Sequence, residues 1–87
     1  MNLNMGGVVI DCAEPRSLAE FWTRALGLEV AFDADGEFVA LHDPGNTAGM
    51  YLGLQKVPEE KAGKNRVHLD LATSNVDEEV ARLVGLG

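Results

Sequence analysis

Cysteine occurs once in these 87 residues, at Cys12, and a single thiol excludes any disulfide within the chain. Cations are also scarce. Seven Lys and Arg stand against fourteen Asp and Glu, for a formal net charge of −7. Proteins that hold DNA, RNA or anionic membranes displace counterions through clustered cations, and the few here are scattered, so neither nucleic acid nor membrane is an expected partner. No apolar run approaches the ~20 residues of a membrane span. The start, Met1-Asn2-Leu3-Asn4-Met5-Gly6-Gly7, lacks the basic head and long apolar stretch of a secretory signal. With the lone thiol, this makes a reducing cytoplasm the expected compartment. Proline is limited to three positions and no low-complexity or linker stretch divides the chain, so one domain over residues 1–87 is expected. A chain this short buries only about 60–65% of its unfolded surface, which leaves a thin stability margin.

What is present is an ordinary globular share of apolar residues, 46%, arranged with clear periods. Residues 8–12 are short, apolar and β-branched and predict a buried strand. Pro15 suits the first turn of a helix, where its missing N–H costs nothing. Leu18, Phe21, Trp22, Ala25 and Leu26 recur at three- and four-residue steps and form one apolar face, and Gly27 is placed to end the helix in a left-handed cap. Strands over 28–34 and 37–43 flank Asp35-Gly36, a strong hairpin signal. Asp43-Pro44-Gly45-Asn46 is turn chemistry, and residues 48–55 predict a third strand of this group. In it Tyr51, Gly53 and Gln55 share one face while Met50, Leu52 and Leu54 share the other. Residues 57–65 are charged, contain Pro58 and Gly63, and read as a loop.

A strand-then-helix unit then recurs. Residues 66–71 alternate, with Arg66, His68 and Asp70 on one face and Val67, Leu69 and Leu71 on the other. The following helix takes Asn75 as N-cap with Glu78 completing a capping box, and Val76, Val80, Leu83 and Val84 form its apolar stripe. The predicted order is βαβββ, loop, βα. Hairpins combined with helices make this α+β rather than doubly wound.

Four stretches carry a family resemblance. They are Val8-Val9-Ile10-Asp11-Cys12-Ala13, the run from Leu18 through Phe21-Trp22 to Leu26-Gly27-Leu28, Asn65-Arg66-Val67-His68-Leu69-Asp70-Leu71, and Val76-Asp77-Glu78-Glu79-Val80-Ala81-Arg82-Leu83. In this order they resemble the vicinal oxygen chelate superfamily of glyoxalases, bleomycin-resistance proteins and dioxygenases, and most of all its glyoxalase-like domains. The resemblance implies paired βαβββ modules whose sheets curl around a ligand or metal pocket. Here it implies module one over 5–56 and the first strand and helix of a second, truncated module over 65–87, a C-terminally incomplete domain. A half-built sheet leaves an unpaired edge, so a homodimer is expected.

Metal-dependent relatives place ligands on the first strand, the fourth strand, the strand opening module two and the final strand. Those positions fall here on Gly7, near Gly53 or Gln55, and on His68, with the last strand absent. His68 alone matches, whereas a catalytic metal wants about three protein ligands and an open position. A complete metal site is therefore not expected, with a divalent metal at His68 as the alternative. The pocket candidates are Asp11, Tyr51, Gln55, His68 and Asp70. His68 is open to three readings: metal ligand, neutral pocket base or hydrogen-bond donor, and plain core histidine. Asp70 is open to two, orienting His68 or pairing with Arg66 or Lys64. His42 reads as a solvated surface histidine, Phe21 and Trp22 as core, and Cys12 as an inert buried thiol. The functional expectation is a small-molecule-binding protein of the glyoxalase-like kind. A metal-dependent lyase or dioxygenase using His68 and an inactive fragment are the alternatives.

Overall fold

The computed structural model describes residues 2–46 and 48–87. Its elements run β1 (Gly7–Cys12), α1 (Pro15–Leu26), β2 (Glu29–Asp33), β3 (Phe38–His42), β4 (Tyr51–Lys56) and α2 (Val76–Leu86). The strands form one sheet in the order β1-β4-β3-β2. β1 lies parallel to β4, and the other two pairings are antiparallel. This is the expected α+β βαβββ module.

Local chemistry explains the boundaries. Pro15 opens α1, and Gly27 closes it in the left-handed region at φ 66°, its N–H donating to the Thr23 carbonyl. Asp35 and Gly36 both take positive φ, the backbone a two-residue hairpin turn demands, so β2 and β3 meet as predicted. The Asp33 carboxylate accepts from the Gly36 N–H at 2.8 Å and is held by the Arg16 guanidinium at 2.9 Å, which ties the hairpin tip to α1. Asp43 accepts from the Gly45 N–H at 2.8 Å and shapes the turn before β4.

Strand alternation builds the core. Val39 and Leu41 of β3 and Leu52 and Leu54 of β4 are almost wholly buried beneath Ala19 of α1, with Ile10, Cys12, Leu18, Trp22 and Leu28 packed around them. The same alternation sends Tyr51 and Gln55 to the opposite face, where both are exposed. Gly53, between them, is buried because Phe38 and Val9 close over it.

Residues 66–71 depart from expectation. They form no strand, and every one of them is exposed. The alternating pattern fits a half-buried ribbon, but a strand exists only through ladder bonds to a neighbour. Among the described residues none joins this segment to the sheet, although it runs beside the outer edge of β1. After β4 the regular element among the described residues is α2. Its cap forms as predicted, with the Asn75 side chain accepting from the Glu78 N–H at 3.1 Å. The return half of the capping box differs: the Glu78 carboxylate takes the Asn75 side-chain amide at 3.2 Å, while the Asn75 backbone N–H donates to Thr73 Oγ1. Asp77, Glu78 and Glu79 in the first turn suit the positive end of the helix dipole. The stripe of Val76, Val80 and Val84 is exposed, and α2 buries no residue fully.

Candidate functional site

Between the outer edge of β1 and residues 65–69 lies an open groove of about 620 Å³. Residues 8–11 form one wall, residues 65–69 the other, and Trp22 reaches in from α1. Apolar side chains dominate: Val8, Val9 and Ile10 face Val67 and Leu69 across it, and the indole supplies a flat aromatic surface. Asp11, Asn65, Arg66 and His68 add polar groups. Among the described residues Asp11, Arg66 and His68 form no side-chain hydrogen bond or ion pair, so each leaves its donors or acceptors open. A second, wider hollow of about 1190 Å³ lies under the 57–65 loop and shares Ile10, Asp11, Trp22 and Asn65 with the groove.

Of the five predicted pocket residues, the structure brings together Asp11 and His68. Tyr51 and Gln55 stand on the open sheet face and do not line the groove, although they are in register with Gly7 and Asp11 across the β1–β4 ladder. Asp70 is exposed, does not line the groove, and forms no ion pair with Arg66 or Lys64 and no bond to His68 among the described residues. Trp22 packs against the core as expected, but it is only half-buried and also lines the groove. Phe21 is also half-buried and meets Trp22 edge-on, their ring centroids 5.2 Å apart. The helical period marks Trp22 as apolar-facing, but only its size, spanning core and groove, signals the double role. Arg66 joins the groove although nothing in the sequence places it opposite β1. His42 is half-buried at the end of β3, opposite Glu29, and not fully solvated as expected. The Cys12 thiol is half-buried, and burial, then the nearby Asp11 charge, raise its pKa above the ordinary 9.0, which leaves it protonated and inert at neutral pH.

The residues present do not fit a metal centre of the family's kind. Gly7 has no donor, and a Cβ there would stand 2.6 Å from the Tyr51 ring, so the space a first-strand ligand would need is filled by the phenol. A Cβ at Gly53 would meet Phe38 at 2.8 Å. Among the described residues no three His, Cys, Asp or Glu side chains gather as ligands. No described helix is long and apolar enough to cross a membrane.

Comparison with known proteins follows the same outline. The model of the glyoxalase-like domain family matches residues 7–87. No curated protein matches the chain. A solved structure of a possible glyoxalase from Bacillus cereus superposes with a TM-score of 0.70 at 20% identity, over 93% of this chain and 68% of that one, which is a likeness of fold. With its βαβββ module and the family's pattern over residues 7–87, the chain belongs to the glyoxalase-like domain family.

Proposed function

We propose that this protein binds a small organic molecule in the groove between β1 and residues 65–69, without a complete metal site. One observation carries the reading: an indole, an aliphatic wall and three polar side chains without partners among the described residues converge on one cleft of about 620 Å³. Pockets for small ligands have this composition, largely apolar with a few polar groups that fix orientation. The expected ligand has a flat or compact apolar body against Trp22 and Val9, and oxygen or nitrogen atoms toward Arg66, His68 and Asp11. Arg66 and His68 donate to an anionic or carbonyl oxygen, and Asp11 accepts from a donor.

The dimer belongs to the same proposal. On the open face of the sheet Phe32 and Tyr51 leave apolar surface exposed, which suits a second copy. The lone tryptophan makes the ligand reading testable. Titration of a fragment library of small aromatic and carbonyl compounds, followed by Trp22 fluorescence, yields saturable binders whose affinity drops at least about tenfold in His68→Ala or Arg66→Ala, the scale of a lost charge-assisted hydrogen bond. Binders unaffected by either change would contradict the assignment.

A further inference from the structure

The groove has one wall on the sheet and one on a segment that hardly touches the sheet. After the Val57 N–H, which donates to the Cys12 carbonyl at 2.9 Å, no hydrogen bond among the described residues ties the chain back to the βαβββ module until α2. There a single side chain does so. Arg82 donates through Nη1 to the Arg24 carbonyl at 3.2 Å and through Nη2 to the Ala25 carbonyl at 2.6 Å. Its Nε is aimed by the Glu79 carboxylate at 2.9 Å, so the fork of the guanidinium is engaged along its length.

The acceptors are the exposed end of a helix. The Gly27 and Leu28 N–H groups both go to the Thr23 carbonyl, which leaves Arg24 and Ala25 without those backbone donors. A cation is favoured at that negative pole, and a planar two-pronged donor spans adjacent carbonyls as an ammonium cannot. α2 itself offers little else to hold it, since no residue of the helix is fully buried. The hollow between the two helices is lined by Arg82 and Glu79 and by residues 71–73, which directly follow the groove wall.

We propose that Arg82 is a positioning residue for the groove: by capping the C-terminal carbonyls of α1 it latches α2 in place and so holds the 65–69 wall, with His68 and Arg66, across from β1 and Trp22. The inference rests on the groove reading for its functional meaning, but its test needs no ligand. Trp22 is the only tryptophan, lines the groove, and reports its closure. The experiment compares acrylamide quenching of Trp22 and amide hydrogen exchange of α1 and α2 in the full chain and in Arg82→Ala, Arg82→Lys and Glu79→Gln.

In Arg82→Ala, Trp22 quenching rises and the protection of α2 amides falls by at least about tenfold, the loss of two charged hydrogen bonds, while α1 keeps its protection. Arg82→Lys lies between this variant and the parent, because one ammonium cannot bridge both carbonyls. Glu79→Gln gives a smaller change of the same sign, and it and the Lys variant carry the test if Arg82→Ala does not fold. Quenching that stays at the parent value in the folded variants overturns the latch. So does quenching that rises only together with loss of α1 protection, since that would be fraying of α1 and not movement of the wall. A groove that binds no fragment leaves the latch standing, and a failed latch leaves the groove standing.

Discussion

At the scale of single residues, the sheet's open face is organised by two glycines. Gly7 lies under the Tyr51 ring and Gly53 under Phe38 and Val9, each where a Cβ would come within 3 Å of an aromatic carbon. Gly7→Val should therefore destabilise the protein by about 1–3 kcal/mol, the usual cost of overpacking. The double variant with Tyr51→Ala should recover part of that loss in chemical denaturation, because the two sites are in direct contact. Additive losses would show that Tyr51 is not what excludes a side chain from position 7. The same contact explains why the first-strand ligand position cannot be refilled by substitution alone.

Asp33 carries a second prediction at this scale. The Arg16 hydrogen bond, then the Gly36 N–H, hold its pKa below the ordinary 3.8. The stability this contributes is fully present above the ordinary carboxylate value and is lost as pH falls through the lowered folded value. Asp33→Asn should flatten the acid limb of a stability-versus-pH curve below about pH 4 and leave the curve's shape near neutrality unchanged. The effect is modest, since the pair is open to solvent. An acid limb as steep in the variant as in the parent would assign the pH dependence to other carboxylates.

At the scale of elements, what was legible in the sequence was whatever local chemistry decides. Pro15 and Gly27 delimit α1, Asp35-Gly36 turns the hairpin, and Asn75 caps α2, because each acts through its own backbone or a neighbour three residues away. Residues 66–71 were not legible. Their alternation is a property of the segment, but a strand is a property of a pair, and no ladder partner stands beside them among the described residues. The site follows the same division. His68 answers to a place in the family pattern and Asp11 to the inward parity of the first strand, whereas Trp22 and Arg66 enter the groove through a juxtaposition of distant segments that no spacing reveals. Tyr51 and Asp70 rest on strand parity, and Gln55 on parity and the family's fourth-strand position, and parity gives a face and not a cavity.

The cap of α2 makes this testable. Asn75→Ala should cost α2 about 1 kcal/mol. Because α2 buries no residue fully, the loss should appear as weaker hydrogen-exchange protection of its own amides, with little change in the midpoint of global unfolding. A global shift of the full amount would instead place α2 in the cooperative core with β3 and β4.

For the whole molecule, the open face of the sheet turns apolar side chains outward, Phe32 and Tyr51 among them. A net charge of −7 favours solubility and opposes non-specific association, so a dimer must form through a specific apolar contact. Light scattering at micromolar concentration should give twice the chain mass, with dissociation promoted by a charged substitution such as Phe32→Asp on the open sheet face. A monomer under these conditions would remove the second copy from the account.

The central claim is that ligand enters between β1 and residues 65–69. Its most direct test is amide and indole chemical-shift mapping by NMR with a fragment that saturates Trp22 fluorescence. The account predicts shifts concentrated on residues 8–11, residues 65–69 and the Trp22 indole. Shifts confined to Tyr51, Phe38 and Gln55 on the open sheet face, with the groove silent, would contradict it.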